Sequence, residues 1–253
     1  MKLKSYFAKD IKNKVELANQ CVEIANSAKF NTDFNDVYEH LFFGDNLMLV
    51  FAFDDDNKMQ GFSSLFITKE QDGTPHIHLN GVIVSPKCQG KGIAKLMVSR
   101  AVGYVYGLFN KKFNDDFKVS LSARTQNPAI YRLMQKVSSN VSPSVKGKVN
   151  KKHFAIVKMM DSQLKPFLGL YNDDFIVKNA YPSSKVQADI NNQSVKVLFN
   201  KLNAYDAFII FGEKAINLDK QQVALGIIDA KETTQTQTKT KTNNCSNNDE
   251  YIK

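Results

Sequence analysis

The chain has 253 residues, a net charge of +9 and 43% hydrophobic residues. This length suits one sizeable domain, or one domain with an extension, and the hydrophobic content is enough to form a core. No stretch approaches the roughly 18 consecutive apolar residues of a membrane-spanning helix, so we expect no membrane association. Residues 1–14 contain no apolar run typical of a signal peptide, and we therefore expect a cytoplasmic protein.

The residue counts also argue against several kinds of site. Cys21, Cys88 and Cys245 are too few and too scattered for a disulfide framework or a zinc site, and we expect no metal. The positive charge comes from lysines spread along the chain, with only three arginines. Arginine is preferred for bidentate phosphate and base contacts, so we interpret the charge as a solvated lysine surface and expect no nucleic-acid partner.

The first third of the chain predicts two helices followed by three strands. Apolar residues recur at three- to four-residue steps after Asp10 as far as Ala25, and a second short helix is predicted over residues 33–41. Strands are predicted over residues 46–53, 59–69 and 75–86, separated by the turn sequences DDDN and QDGT. Because these turns are short, the three strands should form an antiparallel meander.

The next segments alternate between helix and strand. A helix is predicted over residues 92–109, and since both of its sides are apolar it should be well buried. A strand over residues 117–123 precedes a helix over 127–137, with Asn127 as N-cap and Pro128 in the first turn. A strand (174–181), a helix (194–203) and a strand (204–213) follow, and residues 138–170 give no clear pattern. The order predicts an α/β or α+β fold.

The C-terminal residues differ in composition from the rest. Residues 233–248, TTQTQTKTKTNNCSNN, are polar and repetitive, and they cannot offset the entropy cost of ordering. The sequence therefore predicts a folded domain over residues 1–232 and a disordered tail over residues 233–253.

One glycine-rich turn, within VSPKCQGKGIAKL (residues 84–96), predicts an anion site. It joins a strand to a helix, and a helix N-terminus offers unpaired N–H groups and the positive end of the helix dipole. Gly90 and Gly92 allow the backbone to approach a ligand closely. Lys87, Lys91 and Lys95 add positive charge, so phosphate groups are the expected ligand.

The spacing of the glycines distinguishes between phosphate ligands. The P-loop pattern GxxxxGK[ST] is absent, and the dinucleotide pattern GxGxxG fails because Lys95 stands at its last position. The run Gln89 to Ala94, QGKGIA, does fit the form [QR]xxGx[GA]. A chain of this length would match that form by chance about one time in four. Its context adds weight, because a buried strand precedes it, a long helix follows, and a second strand later leads to a helix that begins with Asn127.

With this context, residues 46–137 resemble the GNAT superfamily of acyl-CoA-dependent N-acetyltransferases. The resemblance implies a mixed, mostly antiparallel central sheet flanked by helices, with acetyl-CoA as acyl donor. It implies that the pantetheine arm lies beside Val82, Ile83 and Val84, and that Asn127 occupies a position where the family commonly has asparagine. The implied pyrophosphate loop comprises Gln89, Gly90, Lys91, Gly92, Ile93, Ala94 and Lys95.

The resemblance also implies direct attack of an amine on the thioester, with a base that removes the amine proton. Alternation along a strand predicts one shared face for His76, His78, Asn80, Val82 and Val84. His78 is the first candidate base, because imidazole has a pKa near neutrality and some arylalkylamine-type members carry histidines on this strand. The alternative is a half-exposed strand histidine without a catalytic task.

The candidate acid departs from the family pattern. Many members have a tyrosine seven residues after the helix-opening asparagine, where this chain has Met134. Tyr131, about one turn earlier, is the substitute candidate, and a core tyrosine with a satisfied hydroxyl is the alternative. Ser122 stands where some members have a glutamate base. Arg124 is interpreted either as a substrate or phosphate contact or as a solvated side chain.

The function predicted from the sequence is transfer of an acetyl group from acetyl-CoA to an amine. The acceptor, a small molecule or a peptide, is left open, as is the oligomeric state. The alternative is a non-catalytic acyl-CoA-binding module, because the expected tyrosine and glutamate are absent.

Overall fold

The computed structural model describes residues 1–109, 118–181 and 191–232. Its helices are α1 (Lys14–Ser27), α2 (Phe34–Phe42), α3 (Ile93–Phe109), α4 (Pro128–Val137), α5 (Lys151–Met159), α6 (Asp161–Leu168), α7 (Gln193–Phe199) and α8 (residues 220–232). Its strands are β1 (Lys2–Phe7), β2 (Leu47–Phe53), β3 (Met59–Lys69), β4 (Pro75–Val84), β5 (Ser120–Thr125), β6 (Ser138–Ser139), β7 (Ile176–Val177), β8 (Ala207–Gly212) and β9 (Lys214–Ala215). The predicted tail, residues 233–253, lies outside the described residues.

A seven-stranded sheet of order β1-β2-β3-β4-β5-β8-β7 forms the centre of the fold. Its pairs are antiparallel except β4–β5, which is parallel. The predicted meander of three strands and the mixed, mostly antiparallel, GNAT-like α/β architecture are thus confirmed. β6 and β9 form a second, two-stranded sheet.

Some elements differ from the prediction. The sequence analysis missed β1, in which lysines alternate with apolar residues and which pairs with β2 at the edge of the sheet. The predicted strand over residues 174–181 shortens to the two residues of β7, and α5 and α6 occupy much of the uninterpreted segment 138–170.

The two faces of the sheet bury separate sets of apolar residues. One face packs against α3, α4, α7 and α8 in the largest cluster, which includes Leu65, Leu79, Met97 and Ile210. The opposite face is covered by α1 and α2 over its N-terminal half and by α5 and α6 over its C-terminal half. The strands are therefore buried on both faces, which explains their nearly continuous apolar sequences.

Helix α3 approaches α8 closely, because glycines remove the side chains between them. A Cβ atom at Gly226 would lie 2.2 Å from the carbonyl oxygen of Arg100, and one at Gly103 would lie 2.1 Å from that of Val223. The Arg100 guanidinium also donates two hydrogen bonds of 2.9 Å to Asp229 on α8. This contact buries the second apolar side of α3, as its sequence predicted.

Substitution Gly226→Ala should lower the free energy of unfolding by about 1–3 kcal/mol, because the added methyl group cannot fit against the α3 backbone. Urea denaturation would measure the change. Gly81→Ala is the matched control, since no heavy atom lies within 4 Å of a Cβ at Gly81. Equal stability of the two variants would contradict the close contact.

Candidate functional site

The strands β4 and β5 separate part of the way along their length. Their parallel pairing ends at Leu79 and Ala123, whereas β4 continues to Val84. Beyond that point no described strand bonds β4 on the β5 side. The separated ends border a cavity of about 450 Å³, which the start of α4 and residues of α2 also line.

Four of the predicted site residues line this cavity. They are His78, Val82 and Ile83 on β4 and Asn127 before α4. Val84 packs against the apolar cluster beneath α3 instead. The unpaired edge of β4 and this cavity can accommodate an extended chain, because strand edges offer unpaired N–H and C=O groups.

A β-bulge at Asn80 changes which β4 side chains share a face. Ser64 pairs with Gly81 and Leu65 with Leu79, so Asn80 is the extra residue on β4. Val82 joins the same cluster as Leu79, and Ile83 packs on the opposite side. The predicted common face of the two histidines with Val82 and Val84 is therefore wrong, because the bulge inverts the alternation at Asn80.

Two hydrogen bonds connect the strands at the bulge to helix α2. The side chain of Asn80 donates a 3.0 Å hydrogen bond to the carbonyl oxygen of His40, near the end of α2. The Ser64 hydroxyl donates to the same carbonyl at 2.5 Å. These two bonds hold α2 over the opening between β4 and β5.

The glycine-rich loop leaves its backbone accessible. Gly90 and Gly92 have φ values of +77° and +79°, a conformation that disfavours other residues. Lys87, Gly90, Lys91 and Gly92 are exposed, and no heavy atom lies within 4 Å of a Cβ built on either glycine. Among the described residues, no backbone carbonyl accepts a hydrogen bond from the amides of Gly90, Lys91 or Gly92.

Helix α3 begins immediately after this loop, at Ile93. Its first turn contains no acidic residue to offset the positive end of the helix dipole, and it carries Lys95. The Gln89 side chain donates to the carbonyl oxygen of Val84 at 3.0 Å, which fixes the loop against the end of β4. The free amides and the lysines together can bind phosphate oxygens.

Asn127 caps α4, as the sequence predicted. Its side-chain oxygen accepts from the amide of Ala129, and its own amide donates to the Thr125 hydroxyl, both at 2.9 Å. No described residue bonds its side-chain nitrogen. That NH₂ group can donate to a molecule in the cavity.

The candidate base His78 is 1% exposed and hydrogen-bonded through one ring nitrogen. Its Nδ1 lies 2.9 Å from the Ser122 hydroxyl, and no described residue bonds its Nε2. Burial, then the nearby His76 and Arg124, lower the pKa of His78 well below its usual value. The ring is therefore neutral at pH 7, the form that can accept a proton.

The candidate acid Tyr131 lies outside the cavity lining. Its ring is 1% exposed and packs edge-on against Phe199, and its hydroxyl donates to the Pro143 carbonyl at 2.8 Å. Burial raises the pKa of Tyr131 to about 12. These contacts favour the alternative reading of Tyr131 as a core residue with a satisfied hydroxyl.

Sequence reasoning missed several polar groups of the cavity. Asp36 and His40 of α2 belong to it, with 3.5 Å between His40 Nδ1 and a carboxylate oxygen of Asp36. Gln126 is 2% exposed, and neither atom of its amide has a hydrogen-bond partner among the described residues. No motif marks Asp36, His40 or Gln126, because only the fold brings them together. Arg124, which the sequence analysis interpreted as a substrate or phosphate contact or as a solvated side chain, also lines the cavity, and its guanidinium lies 5.4 Å from the ring centre of Tyr181.

Two further features are absent from residues 1–109, 118–181 and 191–232. There, no group of three or more His, Cys, Asp or Glu residues could hold a metal ion. None of the described helices is long and apolar enough to cross a membrane.

Residues 16–115 match the model of the Acetyltransferase (GNAT) family. The predicted GNAT resemblance is confirmed. The match runs from α1 past the end of α3, so it includes β4 and the glycine-rich loop and stops before β5. No curated protein matches the chain.

Solved structures of acetyltransferases are similar to parts of this chain. One is a GNAT family acetyltransferase from Staphylococcus aureus (17% identity, 44% of this chain and 83% of that one, TM-score 0.36). Another is the ribosomal-protein-alanine N-acetyltransferase of Brucella melitensis (20% identity, 39% and 67%, TM-score 0.30). A third is the aminoglycoside acetyltransferase meta-AAC0020 from an uncultured soil metagenomic sample (14% identity, 52% and 82%, TM-score 0.38). Because these TM-scores are low, the GNAT resemblance rests on the family match over residues 16–115 alone.

Substitution Gly92→Glu in the glycine-rich loop, the predicted phosphate site, should abolish CoA binding, because a carboxylate would face the phosphates. Isothermal titration calorimetry with CoA would measure the affinity. Gly73→Glu is a matched control, since Gly73 also has a positive φ, of +86°, and also has no heavy atom within 4 Å of a Cβ. Equal CoA affinities of the two variants would exclude this loop as the phosphate site.

Proposed function

We propose that this GNAT protein is an N-acetyltransferase that moves an acetyl group from acetyl-CoA to an amine. The observation that carries the proposal is the cavity between the separated ends of β4 and β5, with neutral His78 in its wall. The exposed glycine-rich loop that follows β4 is the second support. We assign the catalytic domain to residues 1–232 and expect it in the cytoplasm.

In this proposal the loop from Gln89 to Lys95 binds the pyrophosphate through backbone amides and lysines. The pantetheine arm lies along the unpaired edge of β4 beside Val82 and Ile83, and the side-chain nitrogen of Asn127 donates to it. This arrangement places the thioester in the cavity. Holding the two reactants in one orientation lowers the activation free energy without a covalent intermediate between the acetyl group and the protein.

The proposed base is His78, through Nε2. Its neutral ring accepts the proton that the amine loses during attack on the thioester. The Ser122 hydroxyl holds the ring by Nδ1, which leaves Nε2 for the substrate. Tyr131 has no step in this mechanism, because its hydroxyl already donates to Pro143.

The acceptor is an amine, either of a small molecule or of a peptide. The aminoglycoside acetyltransferase named above was solved with sisomicin, so small polycationic amines belong among the compounds to test. The carboxylates of Asp33 and Asp36 at the α2 side of the cavity can attract a cationic acceptor.

A second candidate function is a non-catalytic acyl-CoA-binding module. The observation that favours it is the core position of Tyr131 together with buried Met134, which leaves the usual acid position without an acidic group. A GNAT module of this kind would bind acetyl-CoA without transferring its acetyl group.

Acetyl-CoA should raise the melting temperature, because a ligand that binds only the folded state stabilises it by about 2.7 kcal/mol at one hundred times its Kd. Differential scanning fluorimetry would measure this shift. Release of free thiol with a panel of polyamines, arylalkylamines, aminoglycosides and peptides would then separate enzyme from binder. A thermal shift without thiol release would support the module, and no shift at saturating acetyl-CoA would overturn both functions.

Substitution His78→Asn should lower kcat about 100-fold or more and leave the Kd for acetyl-CoA unchanged, because asparagine keeps the Ser122 bond and removes Nε2. Thiol-release kinetics and calorimetry would measure the two quantities. His153→Asn is the matched control, since His153 Nδ1 lies 2.8 Å from the Ser142 hydroxyl and His153 does not line the cavity. Unchanged kcat in His78→Asn would eliminate this base.

A further inference from the structure

A continuous line of hydrogen-bonding side chains leads away from His78 through the buried sheet. His78 Nδ1 lies 2.9 Å from the Ser122 hydroxyl, and that hydroxyl lies 2.7 Å from Nε2 of His76. His76 Nδ1 lies 2.7 Å from the Ser120 hydroxyl. All four side chains are at most 1% exposed.

The parallel register of β4 and β5 creates this line. His76 pairs with Ser120 and His78 with Ser122, so two histidines alternate with two serines on one face of the sheet. Each hydroxyl can accept one hydrogen bond and donate another. The line can therefore be ordered in a single direction from His78 to Ser120.

Aromatic rings separate the line from water. The His76 ring stacks on Phe211 with 5.8 Å between ring centres, and the His78 ring lies 5.7 Å from that of Phe167. Among the described residues, the Ser122 hydroxyl is the hydrogen-bond partner to which His78 can pass a proton.

A carboxyl group lies at the far end. Glu70 follows β3, and the Ser120 side chain interacts with its carboxyl in a way that lowers the pKa of Glu70. Burial raises the pKa of Glu70, and the interaction with Ser120 partly opposes that effect. Glu70 also lines a second cavity of about 380 Å³, with Asp72, Lys152 and Glu213. The line thus joins the cavity at His78 to a partly buried carboxylate at another cavity.

The charges around His78 and Glu70 favour movement of a proton from the first to the second. An imidazolium at His78 is disfavoured by burial, by His76 and by Arg124. Passing the proton to Glu70 leaves both histidines neutral and neutralises a partly buried carboxylate.

We propose that Ser122, His76 and Ser120 form a proton relay that connects the base His78 to Glu70, which stores the proton during acetyl transfer. This inference rests on the proposed function. His78 Nε2 takes the amine proton and its Nδ1–H passes to Ser122. The Ser122 proton moves to His76 Nε2, the Nδ1–H of His76 moves to Ser120, and the Ser120 proton moves to Glu70.

The reverse passage completes the reaction. As the carbon–sulfur bond breaks, His78 gives its Nε2 proton to the departing sulfur, and the stored proton returns from Glu70 along the same bonds. One proton leaves the amine and one reaches the thiol, so the relay ends as it began. This return supplies the acid that the core position of Tyr131 leaves missing.

Substitution Glu70→Gln tests the relay, because the amide oxygen still accepts from Ser120 but cannot store the proton. We expect kcat to fall about ten-fold or more with an unchanged Kd for acetyl-CoA. The solvent isotope effect on kcat in H₂O–D₂O mixtures should change from a multi-proton to a single-proton dependence. Asp72→Asn, a carboxylate of the same cavity, is the control and should keep the wild-type values.

Wild-type kcat and isotope dependence in Glu70→Gln would overturn the relay while the proposed function stands. A wild-type protein that acetylates no amine would instead overturn the proposed function. Nitrogen-15 NMR of the wild-type imidazoles tests the relay without turnover, with Ser122→Ala to identify the affected signals. Both His76 and His78 should carry hydrogen on Nδ1, and hydrogen on Nε2 of either ring at rest would overturn the proposed direction.

Discussion

The end of the hydrogen-bonded pairing between β4 and β5 is the constraint on which the candidate site depends. Up to Leu79 and Ala123 the two strands share a parallel ladder, which seats the histidines against the serines. After those residues the strands separate and the cavity opens. The same pair of strands therefore supplies both a closed polar line and an open site, and His78 stands at the boundary.

The bulge at Asn80 lies at this boundary as well. By adding one residue to β4, it lets the histidines face the α6 side of the sheet while Val82 faces the side of α3. An unbulged strand would turn the same five side chains to one side. The bulge thus places Val82 on the face of the sheet away from the histidines, whereas Ile83 lies on their face.

Local signals in the sequence predicted the features that depend on neighbouring residues. The turns DDDN and QDGT gave the meander, and Asn127 with Pro128 gave the start of α4. The edge strand β1 was not predicted, because it is only six residues long and its lysines obscure the alternation of apolar and polar residues. A glycine inside a strand pattern, Gly81, was an available sign of the bulge. The pairing of His76 with Ser120 could not be predicted, because it depends on the register of strands some forty residues apart.

The contact between α3 and α8 has a consequence for the opposite end of α3. Gly103 and Gly226 allow the backbones of α3 and α8 to lie close together without side chains between them. Arg100 on α3 is also hydrogen-bonded to Asp229 on α8. A helix fixed in this way holds its first turn in a preset direction, so in the proposed function the loop at Gly92 would bind a diphosphate with a smaller loss of conformational entropy. Helix α8 would thus contribute to the proposed CoA affinity from a distance, as a mechanical brace.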